Sequence, residues 1–154
     1  MKQKSILSLL VLIIFGLTSG CAVNKTSVTV SPDVDLSKVK TFYVIQQPKD
    51  QRGVERIISN NLVGRGFKAT AGPDPGKALA DVDAVVTYVD KWMWDITMYL
   101  VELTVVLRDP RNNYPMATAQ SFHTSMTRKS PPEMVDEVLT NIFNAQSKNQ
   151  GVAQ

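Results

Sequence analysis

The spacing of apolar residues changes period several times along this chain, and each change marks an element. Ser27-Val28-Thr29-Val30 is a short β-prone run stopped by Ser31-Pro32-Asp33. Thr41 to Gln46 reads as a strong strand bounded by Pro48. Beyond Asp50, a natural helix cap, Val54, Ile57, Ile58 and Leu62 form a one-sided stripe at helical spacing. Gly64 and Gly66 supply the left-handed stop such a helix needs. A short strand over Phe67 to Thr70 follows, then the turn Gly72-Pro73-Asp74-Pro75-Gly76 and one helical turn over Lys77 to Ala80.

The second half is more regular. Ala84 to Trp92 is rich in Val, Tyr and Thr. Thr97 to Arg108 sets Tyr99, Val101, Leu103, Val105 and Leu107 on one face in strict alternation, with Glu102 and Thr104 on a wetter opposite face. The turn Asp109 to Asn113 reverses the chain into a third segment, Met116 to Met126. Connections this short force an antiparallel meander. Ser130-Pro131-Pro132-Glu133 then opens a helix with a Ser cap, Pro at its first position and Glu three residues on. Met134, Val135, Val138, Leu139, Ile142 and Phe143 are its apolar stripe; Asp136, Glu137, Asn141 and Asn144 are assigned to its polar side. The expected fold is α+β, a mostly antiparallel (mixed) sheet with two amphipathic helices packed on one face. It forms a single domain over residues 27–145, followed by a frayed tail at 146–154.

The front of the chain follows a different rule. Lys2 and Lys4 precede an apolar run from Ile6 to Leu17, and Thr18-Ser19-Gly20 leads into Cys21, the one cysteine. That is the order of a secretory signal, and the run is short for a membrane span. A cysteine directly after the cut makes it resemble the lipobox of bacterial lipoproteins, although Thr18 stands where that signal usually has an aliphatic residue. The expectation is a signal peptide at 1–20, lipid on Cys21 and a tether over 21–26. Ala22, rather than Asp, after the cysteine resembles the sorting state for the periplasmic face of the outer membrane. Removing residues 1–20 takes Lys2 and Lys4 away and leaves 15 basic against 14 acidic side chains. A net charge near +1, with charges interspersed, argues against a nucleic-acid partner.

Candidate chemistry is sparse. With Cys21 acylated, no thiol remains for a disulfide, a nucleophile or a Cys-based metal site. His123 is the single histidine, so a zinc site of ordinary composition is not expected, nor is any cofactor. A hydrolase using His123 with Ser121, two residues away on one strand face, is the enzymatic alternative, but no Gly-x-Ser-x-Gly elbow accompanies it. The expected place of His123 is a surface or half-buried strand position. Asp33-x-Asp35 and Asp81-x-Asp83 lack the context of a calcium loop, and Gly64-Arg65-Gly66 lacks that of a dinucleotide fingerprint. Trp92, Met93 and Trp94 stand out, and Met98 joins them around one hairpin bend. Alternation puts both tryptophans on one strand face and Met93 on the other, a heavy apolar load beside a hairpin bend and a candidate partner contact.

Three stretches resemble a known family. Val34-Asp35-Leu36-Ser37-Lys38-Val39-Lys40-Thr41-Phe42-Tyr43, Leu62-Val63-Gly64-Arg65-Gly66-Phe67 and Ala80-Asp81-Val82-Asp83-Ala84-Val85-Val86 are similar, in order, to segments of the small bacterial lipoproteins grouped as domain of unknown function 4136. The family's aromatic residue is replaced by Val39. The resemblance spans roughly residues 27–145 and implies fold and location rather than a reaction. Related folds occur in envelope lipoproteins that assemble into rings. The expected function is therefore a lipid-anchored, non-enzymatic binding or scaffolding domain of the cell envelope, with an envelope protein or further copies of itself as partner. A small-ligand carrier is a further alternative.

Overall fold

The computed structural model describes residues 24–76, 79 and 81–151. The signal segment, Cys21 and most of the expected turn at 77–80 lie outside them. Six strands form one open mixed sheet in the order β1-β6-β5-β4-β2-β3. In chain order these are β1 (Asn24–Val30), β2 (Thr41–Ile45), α1 (Val54–Gly64), β3 (Lys68–Gly72), β4 (Ala84–Asp95), β5 (Thr97–Arg108), β6 (Pro115–His123) and α2 (Pro131–Gly151). The expected meander is present: β4, β5 and β6 pair antiparallel, and β1 adds antiparallel to β6. The parallel part of the sheet comes from β2, which pairs with β3 on one side and β4 on the other. Helix α1 makes the β2-to-β3 crossover that a parallel pair requires.

Both helices pack on the same face. Alternation along β5 turns Leu103, Val105 and Leu107 toward them, along β4 Ala84, Val86 and Tyr88, and along β2 Phe42 and Val44. The helices answer with Val54, Ile58 and Leu62 from α1, and Met134, Val135, Val138, Leu139 and Ile142 from α2, all buried. The Phe67 ring meets Phe42 edge-on at 5.1 Å and stacks on Phe143 at 5.0 Å, joining sheet and α2. The other sheet face carries a mixed polar array, including Thr87, Thr104, Thr118 and the pair Lys91–Glu102 at 2.7 Å.

The helix ends follow their sequence signals. Glu133 accepts from the Ser130 backbone N–H at 2.8 Å and from its hydroxyl at 2.7 Å, the backward half of a capping box. Ser130→Ala should cost about 1 kcal/mol of stability, read as a lower urea midpoint with unchanged slope. At the end of α1, Gly66 adopts φ +90° and Phe67 N–H donates to Leu62 C=O, so Gly64-Arg65-Gly66 is a helix stop.

Several boundaries differ from expectation. β1 starts at Asn24, because β6 offers partners up to His123, so residues 24–26 are strand rather than tether. Helix α2 continues to Gly151 and buries Gln146 where a frayed tail was expected. β6 ends at His123, and Ser125–Thr127 forms a 3-10 turn instead of more strand. Finally, a bulge between Lys91 and Trp92 shifts the β4–β5 register, so that Val101 has no direct partner and Trp92 faces Leu100.

Candidate functional site

His123 and Ser121 lie on the helix-facing side of β6, in line with Ala117 and Ala119, and both are fully buried. The expected surface or half-buried histidine is thus a core residue. What buries them is Glu137 of α2. Its Oε2 accepts from Ser121 Oγ at 2.6 Å and from His123 Nε2 at 2.8 Å, and its Oε1 meets Lys129 Nζ at 3.1 Å. Burial alone would push the Glu137 carboxyl up. Hydrogen bonds from Ser121, His123 and Lys129 outweigh it and hold the group below the usual carboxylate range. Glu137 was assigned to the polar side of α2; it turns inward instead, because two polar side chains on the sheet await an acceptor.

This cluster contains the residue types of a hydrolytic triad in the wrong order. A triad needs the imidazole between hydroxyl and carboxylate, so that the ring can take the hydroxyl proton. Here the carboxylate is the hub and both neighbours donate to the same oxygen. His123 Nδ1 is buried with no partner among the described residues. The arrangement fastens α2 to the sheet.

A second polar cluster sits where α1 begins. Asp50 accepts from the backbone N–H groups of Arg52, Gly53 and Val54 at 2.7, 3.0 and 2.8 Å, and from Tyr88 Oη at 2.6 Å. Burial pushes the Asp50 carboxyl up, but the donors win and bring it down to about 2. Burial, followed by the charge and hydrogen bond of Asp50, drives the neighbouring Glu55 carboxyl the other way, above its usual range. Glu55 is buried, its Oε1 lies 3.5 Å from Arg56 Nε, and its Oε2 meets no hydrogen-bond donor among the described residues. The same surroundings push the Tyr88 hydroxyl well up, burial first and the Asp50 bond second.

One acid from each carboxylate pair has a structural task. Asp83 Oδ2 accepts from the N–H groups of Lys40 and Thr41, both at 2.9 Å, and pins the start of β2 beside β4. Asp35 Oδ1 accepts from Ser37 N–H at 3.0 Å and caps the turn at Leu36–Lys38. Among the described residues no group of three or more His, Cys, Asp or Glu is placed to hold a metal ion. A cavity of about 320 Å³ opens between α2 and the segment before β2, lined by Leu36, Lys40, Arg65, Phe67, Phe143 and Gln146.

The Trp92-Met93-Trp94 group divides. Trp92 packs on the core beneath Arg52, whose guanidinium lies 4.3 Å from the ring centroid, and its indole N–H donates to Asp90. Trp94 is 70% exposed on the same side of the strand but beyond the core, and Met93 is 50% exposed on the other side, with Tyr99 Oη at 3.4 Å from its sulfur. Around the bend, Ile96 is 87% and Met98 43% exposed. Of the four residues read at the bend, Trp94, Met93 and Met98 are exposed and Trp92 is not, and Ile96, which carried no sequence signal, is the most exposed residue of the tip.

No family model and no curated protein matches the chain. Its fold is shared with solved structures. It is similar to a PelC dodecamer from Paraburkholderia phytofirmans at a TM-score of 0.56 and 16% identity, covering 80% of this chain and 97% of that one. A second crystal form of that dodecamer, carrying one substitution, gives a TM-score of 0.58 at 16% identity, covering 78% and 98%. At such identity the likeness is one of fold. Among the described residues, no helix is long and apolar enough to cross a membrane.

Proposed function

We propose that this chain is a lipid-anchored lipoprotein of the bacterial envelope, tethered through Cys21, whose folded domain binds and scaffolds rather than catalyses. The observation that carries the reading is the β4–β5 hairpin. It leaves Trp94, Ile96 and Met98 exposed at its tip, with Met93 exposed on the opposite face, whereas the Ser121–His123–Glu137 cluster is buried and spent on packing. Large apolar side chains left exposed at one hairpin tip suit a contact surface. The front-end signal supports an outer-membrane location on the periplasmic face. The stretches at 34–43, 62–67 and 80–86 support membership of the lipoprotein family of unknown function 4136. The PelC structures of the same fold are dodecamers, which makes further copies of this chain the first protein partner to test.

Full-length protein expressed in a Gram-negative host should lose residues 1–20, gain acyl mass on Cys21 and fractionate with the outer membrane. Cys21→Ala should abolish both the acyl mass and the membrane recovery. A photo-crosslinker in place of Trp94 should form an adduct in the cell. An intact Met1 with no acyl mass removes the anchor, and a Trp94 position that captures neither lipid nor protein removes the contact surface.

A further inference from the structure

Two features of the sheet are brought to one end by its register. Asn24 stands opposite His123, and Phe122 opposite Glu102, so the chain joins the sheet level with Val101 of β5. From there β5 runs outward to Thr97 without β6 or β1 beside it, and only the β4–β5 hairpin continues. At roughly 3.3 Å per residue, the turn at Ile96 stands about 16 Å beyond the level of Val101. Cys21 is three residues ahead of Asn24. Whatever path they take, three residues span at most about 10 Å. A lipid on Cys21 therefore holds this end of the sheet closer to the bilayer than the length of the hairpin.

The residues at that end suit such a contact. Trp94 is 70%, Ile96 87% and Met98 43% exposed, and Met126, in the turn that follows β6, is 84% exposed. Tryptophan favours the headgroup level, and aliphatic side chains beside it enter the acyl boundary. The acid at the tip, Asp95, is countered by Arg128 at 3.7 Å, which also donates to Thr97 Oγ1 at 2.9 Å and lies over the Tyr99 ring at 4.8 Å. Ile96 itself holds φ +57°, a left-handed conformation that a β-branched residue adopts only under strain. Asn or Gly would relax it. A strained, almost fully exposed isoleucine is a poor choice for a water-facing turn and a good one for a turn that meets lipid.

We propose that the hairpin tip is a second membrane contact, with Trp94, Ile96 and Met98 entering the interface of the same bilayer that holds the lipid on Cys21. This rests on the reading of Cys21 as the anchor and names the hairpin's partner as the lipid surface.

The chain has two tryptophans, so Trp92→Phe leaves Trp94 as sole reporter and Trp94→Phe leaves Trp92. The acylated full-length protein is reconstituted into vesicles of phosphatidylethanolamine and phosphatidylglycerol with brominated acyl chains. Trp94 emission should shift to the blue and lose most of its intensity, while Trp92 emission stays unquenched. Ile96→Asn should raise the unfolding midpoint in solution yet weaken the quenching of Trp94, which separates lost contact from lost folding. Protein that floats with the vesicles while Trp94 stays unquenched overturns the membrane contact and leaves the anchor standing. A blue shift insensitive to bromine means a protein covers the tip and also overturns it. Quenching unaffected by Ile96→Asn removes Ile96 from the contact. Protein that fails to float overturns the anchor and this contact together.

Discussion

Glu137→Ala should destabilise the domain by about 3 kcal/mol, a drop in urea midpoint large enough to read without ambiguity. The cause is what the substitution leaves behind. Ser121 Oγ and His123 Nε2 both donate to Glu137 Oε2 in a site from which water is excluded, and Lys129 loses its partner at the rim. An unpaired buried donor costs about 1–3 kcal/mol, and two are created at once, partly offset by no longer having to desolvate the carboxylate. Glu137→Gln should cost less, since the amide oxygen still accepts from one donor. Replacing all three polar groups together, Ser121→Ala with His123→Leu and Glu137→Leu, should recover much of the loss, because no orphan remains. If Glu137→Ala melts with the wild type, the cluster does not hold α2. Acid should act in the same direction. The Glu137 carboxyl lies below its ordinary value in the fold, so its contribution is present above pH of about 4.5 and is lost as pH falls through the folded value.

The second large effect belongs to the start of α1 and has opposite signs for its two acids. Asp50→Ala should cost about 2–3 kcal/mol, since it removes a cap bonded to three backbone N–H groups and leaves Tyr88 Oη without its acceptor. In the wild type, the Asp50 contribution is complete above its unfolded value of 3.8 and disappears as pH falls toward about 2. Glu55 works in reverse. Its folded value lies above 4.5, so the native state binds the proton more tightly and stability declines as pH rises through the folded value. Glu55→Gln places a permanent donor beside Asp50 and removes that decline. At pH above the raised Glu55 value the variant should be the more stable protein, and the gap should close in acid. A wild-type midpoint parallel to that of Glu55→Gln across the range would contradict the raised carboxyl.

These two clusters also show how far the residues alone could be read. The alternation in β5, the Ser130 cap and the glycines after α1 are local signals, and they led to the meander, both helices and their common face. The parallel pairing of β2 was out of reach, because it depends on which strand α1 returns to. His123 and Ser121 were visible as a pair two residues apart, yet their burial was not. Nothing nearby in sequence reveals that Glu137, in an apparently polar stripe, turns toward them. The clue was the alternation Ala117, Ala119, Ser121, His123, which puts the serine and histidine on the core side and so demands an acceptor from α2. Trp92 and Trp94 share a strand face as alternation requires, but the core ends between them, and a contrast of that kind depends on tertiary packing.

β2 reaches only as far as Val44 opposite Val86, and beyond the Gln47 side chain at Tyr88 no strand among the described residues lies along β4 on that side. From Val89 to Asp95 the backbone N–H and C=O groups of that margin are therefore open to any extended polypeptide that drifts past. Asp90, Lys91 and Asp95 interrupt the otherwise sticky run of Val89, Trp92, Met93 and Trp94. Charges set into such a margin discourage runaway stacking of one molecule on the next, and they explain why a strand this greasy can be left unguarded by a neighbour.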